Sequence, residues 1–130
     1  FRFGAETIKA AFFLVKFLED VKYDGSKHFD AHAYRTEDKQ GVKDFAAGCM
    51  RTYLILKEKA QHFSADKDIQ ALIAEVNSGA ERYAWLSGGY DRAKVERLLK
   101  ESFDRQALGA RGLNYERLDQ LTNELLLGIR

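Results

Sequence analysis

Lys27-His28-Phe29-Asp30-Ala31-His32-Ala33-Tyr34 is the stretch that decides the fold class. Successive side chains of a strand point to opposite faces. Read as a strand, it puts His28, Asp30 and His32 on one face and Phe29, Ala31 and Ala33 on the other. The apolar face suits packed helices. The polar face has to meet solvent, a ligand or the interior of a barrel. Helical patterns flank the stretch on both sides, and helix, short strand, helix in succession is the order of α/β proteins with parallel strands. No strand signal follows Tyr34. A lone strand leaves its backbone N–H and C=O groups unsatisfied, so its partners are expected from other residues or another chain.

Working outward, apolar residues at Ile8, Ala11, Phe12, Val15, Leu18 and Val21 follow the 3.6-residue period and predict a helix from Ala5 to Val21. Phe13, Leu14 and Phe17 widen its apolar stripe past half the circumference, as expected of a helix sandwiched between two layers. After the strand, Thr36, Glu37 and Asp38 offer caps and negative charge to a helix from Lys39 to Phe63. Its stripe runs through Val42, Phe45, Ala46, Cys49, Met50, Tyr53, Leu54 and Leu56, with Cys49 and Met50 as core and Gly48 as a point of close packing.

Beyond residue 63 the character changes. Ser64 is the expected cap of a helix from Ala65 to about Val76, ending near Asn77-Ser78-Gly79. Ser87-Gly88-Gly89 marks a break, Asp91 caps a helix from Arg92 to about Phe103, and Asn114 caps a last helix to Leu127 with Gly128 past its end. Tyr83 and Trp85 fall in a loop, where they either anchor a partner or pin the loop. Two parts are therefore expected: residues 1–63 as a segment of an α/β fold, and 64–130 as a helical extension.

The 21 Lys and Arg balance 20 Asp and Glu, which gives no support to a nucleic-acid or anionic-membrane partner. The apolar run Ala10–Val15 is bracketed by Lys9 and Lys16 and falls far short of the roughly 20 residues of a membrane span. Proline is absent, which fits long helices. The single Cys49 cannot form an internal disulfide, and no signal-peptide pattern is present, so a cytoplasmic location is expected. The opening Phe1-Arg2-Phe3-Gly4 reads as that of a truncated or cleaved chain.

For chemistry, His28-x-Asp30-x-His32 is the constellation of interest. Carboxylate and imidazole ligate divalent metals. Neighbours two apart on a strand stand roughly 6–7 Å apart, so adjacent members could share an ion while all three would be stretched. The bland alternative is a polar strand face held by hydrogen bonds. His62, at the end of a long helix, suits the dipole there and is given no functional weight. No phosphate-binding loop, CxxC, HExxH or GxSxG occurs.

Several blocks in register resemble the end of xylose isomerases of the actinobacterial type. These are Phe3-Gly4, Tyr23-Asp24-Gly25, His28-Phe29-Asp30, Arg35-Thr36-Glu37-Asp38, Ala47-Gly48-Cys49-Met50-Arg51, Tyr53-Leu54-Ile55-Leu56-Lys57-Glu58 and Tyr115-Glu116-Arg117-Leu118-Asp119-Gln120-Leu121. Residues 64–113 match only loosely. The resemblance implies the C-terminal part of a (β/α)8 barrel (helix 7, strand 8, helix 8) followed by a subunit-embracing helical arm. It implies metal-assisted hydride transfer between D-xylose and D-xylulose, with D-glucose and D-fructose as further sugars. Two divalent cations, Mg, Mn or Co, are the implied cofactors. The implied partners are a missing N-terminal barrel fragment and the other subunits of a homotetramer.

Asp30 stands where the family has a metal-ligand aspartate, and His32 takes the place of a lysine and is the candidate substrate contact. The family's other ligands and its catalytic residues lie upstream of Phe1, so no catalytic residue is assigned within this chain. The family's aromatic residue, lysine and prolines are replaced here by Ala31, His32, Ala33 and Tyr34. A second reading stands beside the enzyme: a non-catalytic helical fragment that acts as a subunit-interaction module.

Overall fold

The computed structural model describes residues 1–81, 83–102, 104–111 and 113–130. In chain order the helices are α1 (Ile8–Asp20), α2 (Lys39–Ala65), α3 (Lys67–Glu81), α4 (Arg92–Lys100), α5 (Arg105–Arg111) and α6 (Asn114–Leu126), with a single 3-10 turn at Ala84–Leu86. The chain is mostly helical, and no strand occurs among the described residues. It divides into two compact units, one of Phe1–Ala65 with Asn123–Arg130 and the other of Asp66–Thr122.

In the first unit α1 packs along α2. Ala11, Phe12 and Val15 of α1 are buried with Cys49, Leu56, Ala60 and Phe63 of α2 and Leu125 of α6. Full burial of the larger of these, the Phe, Leu and Val side chains, is worth about 1.5–3 kcal/mol each. The Phe12 and Phe63 rings lie 5.5 Å apart, and Phe13 meets Phe63 edge-on at 6.1 Å. The α2 residues that reach this core fall at 49, 56, 60 and 63, which is one narrow stripe of a helix.

That narrowness overturns the expectation for Met50, which is 59% exposed, and for Leu54, also exposed. They lie about 100° and 140° round the helix from Cys49, off the side that α1 covers. Cys49 is buried as expected. Gly48 faces the Arg2 side chain, which a Cβ there would meet at 3.5 Å. The wide apolar stripe expected on α1 is present but covered on one side only. Phe13, Leu14, Phe17 and Val21 remain exposed.

The helix ends explain most differences from the sequence reading. α1 runs shorter than Ala5–Val21 and closes in a Schellman motif. Tyr23 N–H donates to Leu18 C=O at 2.9 Å and Lys22 N–H to Glu19 C=O at 3.1 Å, with Lys22 in the left-handed region at φ 53°. The same motif ends α6, where Gly128 takes φ 79°, Ile129 N–H donates to Glu124 C=O and Gly128 N–H to Leu125 C=O. Asp38 caps α2 by accepting from Gly41 N–H at 2.8 Å.

Ser64 is not a cap. It lies inside α2 and returns its hydroxyl to Ala60 C=O at 3.0 Å. The cap of α3 is Asp66, whose Oδ1 accepts from Asp68 and Ile69 N–H, each at 3.0 Å. α3 continues past Val76 to Glu81, and Ser78 donates to Glu75 C=O instead of ending the helix. Asp91 caps α4 as expected, accepting from Ala93 N–H at 2.8 Å. α4 ends at Lys100, and the expected end at Phe103 lies outside the described residues. α5 was unexpected. Asp104 starts it by accepting from Ala107 N–H at 2.8 Å.

Candidate metal-ligating segment

The expected strand Lys27–Tyr34 does not form. Residues 26–34 run without ladder hydrogen bonds between the end of α1 and the start of α2. A strand is defined by its partner, and the described residues provide none. The two-faced character of the stretch nevertheless survives. Phe29, Ala31 and Ala33 are half-buried, while His28, Asp30, His32 and Tyr34 are exposed.

Phe29 is the inward anchor. Its ring lies 5.2 Å from Phe3 and 6.4 Å from Tyr53, and Phe3 and Tyr53 are 6.5 Å apart. Phe3 is held in turn by its N–H, which reaches Cys49 Sγ at 3.5 Å. At the entry to the segment, Tyr23 OH donates to Ser26 C=O at 3.3 Å. Lys27 Nζ donates to Tyr23 C=O at 3.1 Å and lies over the Tyr23 and Tyr53 rings.

The structure brings two of the three candidate ligands together. His28 and Asp30 line one open groove with Leu14, Leu18, Tyr23 and Tyr53. His32 lines a different groove, with Arg2, Tyr34, Glu37 and Phe45. The His32 ring nitrogen Nδ1 lies 2.9 Å from Ala33 C=O. A carbonyl only accepts, so it is Nδ1–H that donates in this contact. Among the described residues no three His, Cys, Asp or Glu side chains come together in a metal-holding group. Asp30 supplies a hard oxygen of the kind that Mg²⁺ and Mn²⁺ prefer. The chain thus fits part of a ligand set and not a whole one.

Sequence reasoning missed the group behind this segment. Tyr53 OH donates to Glu19 Oε1 at 3.0 Å, and Lys57 Nζ lies 3.0 Å from Glu19 Oε2. Tyr53 and Lys57 are one turn apart on α2, so both reach the carboxylate at the end of α1. The Lys57 ammonium holds the Glu19 carboxyl below its ordinary range, against burial, with help from Tyr53. Burial first, and the Glu19 carboxylate second, push the Tyr53 hydroxyl up. Only the i, i+4 spacing of Tyr53 and Lys57 was visible in the sequence. Their partner is 34 residues away from Tyr53.

In the second unit, Trp85 lies in the 3-10 turn, not in an irregular loop. Arg97 of α4 stacks over its ring at 4.1 Å, and Tyr83 lies 6.5 Å away. A cation over an indole face is attracted by the ring quadrupole, so this contact pins the turn to α4. No helix is long and apolar enough to cross a membrane among the described residues.

No family model matches the chain. Known proteins do. Over 129 residues it is 49% identical to a protein named xylose isomerase from Thermus caldophilus and 51% identical to one from Thermus thermophilus. It is 42% identical over the same length to a xylose isomerase from Streptomyces lividans. Each alignment covers 99% of this chain and 33% of the relative, so the chain spans about one third of the length of the curated relatives it matches. Along nearly the whole of its length, the chain is a homologue of xylose isomerases.

Proposed function

We propose that this chain is the C-terminal portion of a metal-dependent aldose–ketose isomerase that interconverts D-xylose and D-xylulose, with D-glucose and D-fructose as further sugars. The observation that carries the reading is identity of 42–51% to three xylose isomerases across 99% of the chain. In this reading residues 1–63 complete a (β/α)8 barrel and 64–130 form an arm for subunit contacts in a homotetramer. The two-faced segment 26–34 lies where the last barrel strand would pair with strands outside this chain. α1, apolar on the face turned from α2, has a second layer to meet there.

Asp30 is the residue that would hold a divalent cation, and the exposed His32 would contact a sugar oxygen. When bound there, divalent cations would supply Lewis-acid polarisation of sugar oxygens and offset charge developing during hydride transfer. The chain's own part is to hold Asp30 outward and to keep the apolar side of its segment against α2. No residue of the chain is assigned to proton transfer.

The test uses the protein in which this chain is assembled with the barrel portion. D-Xylulose formation is measured with Mg²⁺, Mn²⁺ or Co²⁺ and after chelation. Metal-dependent turnover that Asp30→Ala abolishes is the expected result. Turnover and metal content that survive Asp30→Ala would overturn the assignment of Asp30. Absence of turnover with any of the metals would leave the chain as an interaction module.

A further inference from the structure

The first unit takes in Asn123–Arg130, although the whole of the second unit, Asp66–Thr122, separates that stretch from α2 in the sequence. Part of what holds it is apolar, since Leu125 in the last turn of α6 is buried. Part is polar. Lys59 Nζ of α2 donates to Leu125 C=O at 2.7 Å. Lys59 is half-buried and stands three residues after Leu56 and four before Phe63, both buried, so it rises from the core face of α2.

The bond is placed where a cation counts. The last turn of a helix leaves carbonyls without intrahelical partners and carries partial negative charge. The turn at Gly128 satisfies two of them, with Ile129 N–H on Glu124 C=O and Gly128 N–H on Leu125 C=O. A carbonyl oxygen has two lone pairs, and Lys59 takes the second one on Leu125. The turn passes close to the ammonium, since a Cβ on Gly128 would lie 3.9 Å from Nζ. The ion pair of Arg130 with Glu124, at 3.9 Å, is internal to the stretch and braces its turn. The Lys59 bond ties the stretch to α2.

We propose that Lys59 is a latch that fastens the end of α6 to α2. The chain leaves the first unit after Ala65 and returns to it at Asn123. Lys59 stands six residues before Ala65, about 9 Å along the helix, so departure and return share one stretch of α2. With the latch closed, the second unit is a segment tied at both ends. With it open, the tie at the return is lost. That residues 64–130 meet other subunits rests on the reading proposed above. The latch rests on the Lys59 bond and the burial of Leu125.

The experiment is hydrogen exchange followed by mass spectrometry, on the protein in which this chain is assembled with the barrel portion. The reporting amides are Leu127, Gly128 and Ile129, which donate to Asn123, Leu125 and Glu124. Lys59→Met keeps the stem and removes the donor. Exchange at 127–129 should then rise on the order of tenfold, the scale of a hydrogen bond to a charged group, while α1 and the first half of α2 keep their rates. Lys59→Arg, which keeps a cationic donor, should retain most of the protection. Lys59→Gln replaces Lys59→Met if that variant fails to fold, with the same direction expected. Unchanged exchange at 127–129 would overturn the latch, because burial of Leu125 would then suffice. An equal rise across α1 and α2 would overturn it too. The same variant is diluted and its assembly followed by native mass spectrometry. Weaker assembly together with faster exchange at 127–129 is expected. Faster exchange with unchanged assembly would leave the latch standing and remove its part in subunit contact.

Discussion

Replacing Asp66 by Ala should destabilise the chain by about 1.5 kcal/mol, while replacing Ser64 should leave it within about 0.5 kcal/mol of its starting stability. The two residues are two apart, and Ser64 is the one expected as the cap from the sequence. The structure separates them. Asp66 Oδ1 accepts from two amides in the first turn of α3, Asp68 and Ile69, at 3.0 Å each. Loss of such a cap costs about 1 kcal/mol. The carboxylate beside the positive end of the helix adds roughly 0.5 kcal/mol at low salt. Ser64 sits inside α2 and bonds back to Ala60, where Ala is the better helix former.

The assay is urea denaturation followed by far-UV circular dichroism at pH 7, repeated in 1 M NaCl. Asp66→Asn keeps the acceptor and loses the charge. It should cost about 0.5 kcal/mol at low salt and nearly nothing at high salt, where the Debye length falls to about 3 Å. The capping part of the Asp66→Ala loss should persist at both. If Ser64→Ala cost more than Asp66→Ala, α3 would begin two residues earlier and the assignment of the cap would be wrong.

Two further outcomes follow from the first unit. Lys22 closes α1 in the left-handed region at φ 53°, a conformation that costs an L-residue about 1 kcal/mol or more and glycine almost nothing. Lys22→Gly should raise stability by about 0.5 kcal/mol after the greater chain entropy of glycine is offset, and a fall in thermal midpoint would refute this. Glu19 is held below its ordinary value of 4.5 in the folded chain, chiefly by Lys57, so its contribution is present above pH 4.5 and is lost as pH falls through the lower folded value. Tyr53 is raised above 10.0, so its contribution is present below that pH and is lost as pH rises through the higher folded value. Thermal midpoints should show a plateau between these limits with an acid limb that Glu19→Gln flattens, and an unchanged limb would remove Glu19 from the account.

What the sequence made legible was local. The periods of α1 and α2, the Asp91 cap and the Gly128 stop depend on neighbours within a turn or two, and they stand in the structure. What it hid depends on competition or on distance. Ser64 and Asp66 compete for one helix start, and the winner is the one whose side chain reaches two amides. Met50 was expected on the core stripe of α2, but it stands about 100° round the helix from Cys49, off the side that α1 covers. Lys22 ends α1 where a glycine would be the obvious signal. For the site, the alternation of residues 28–33 was readable, while the ring contacts of Phe3, Phe29 and Tyr53 and the bonds of Glu19 join residues up to 50 positions apart (Phe3 to Tyr53).

Segment 26–34 and α1 share one feature, which bears on how any site around Asp30 is completed. Each keeps one face against α2 and leaves the other open. On α1 the open face is apolar, with Phe17 62% exposed beside Phe13 and Leu14, more than the scattered single apolar residues normal on a surface. On the segment the exposed side is polar, with His28 and Asp30 in one groove and His32 in another. Tyr53 of α2 bonds Glu19 of α1 and lies beside the half-buried Phe29, and Asp30 is on the exposed side of the segment. If Asp30 holds a cation as proposed, further ligands would approach from the polar side, while packing partners of α1 would approach from the apolar one. A partner that supplied only a layer for α1 would bury that helix and leave Asp30 in solvent. One that supplied ligands as well has to reach both faces, as strands paired with the segment and a layer over α1 would do.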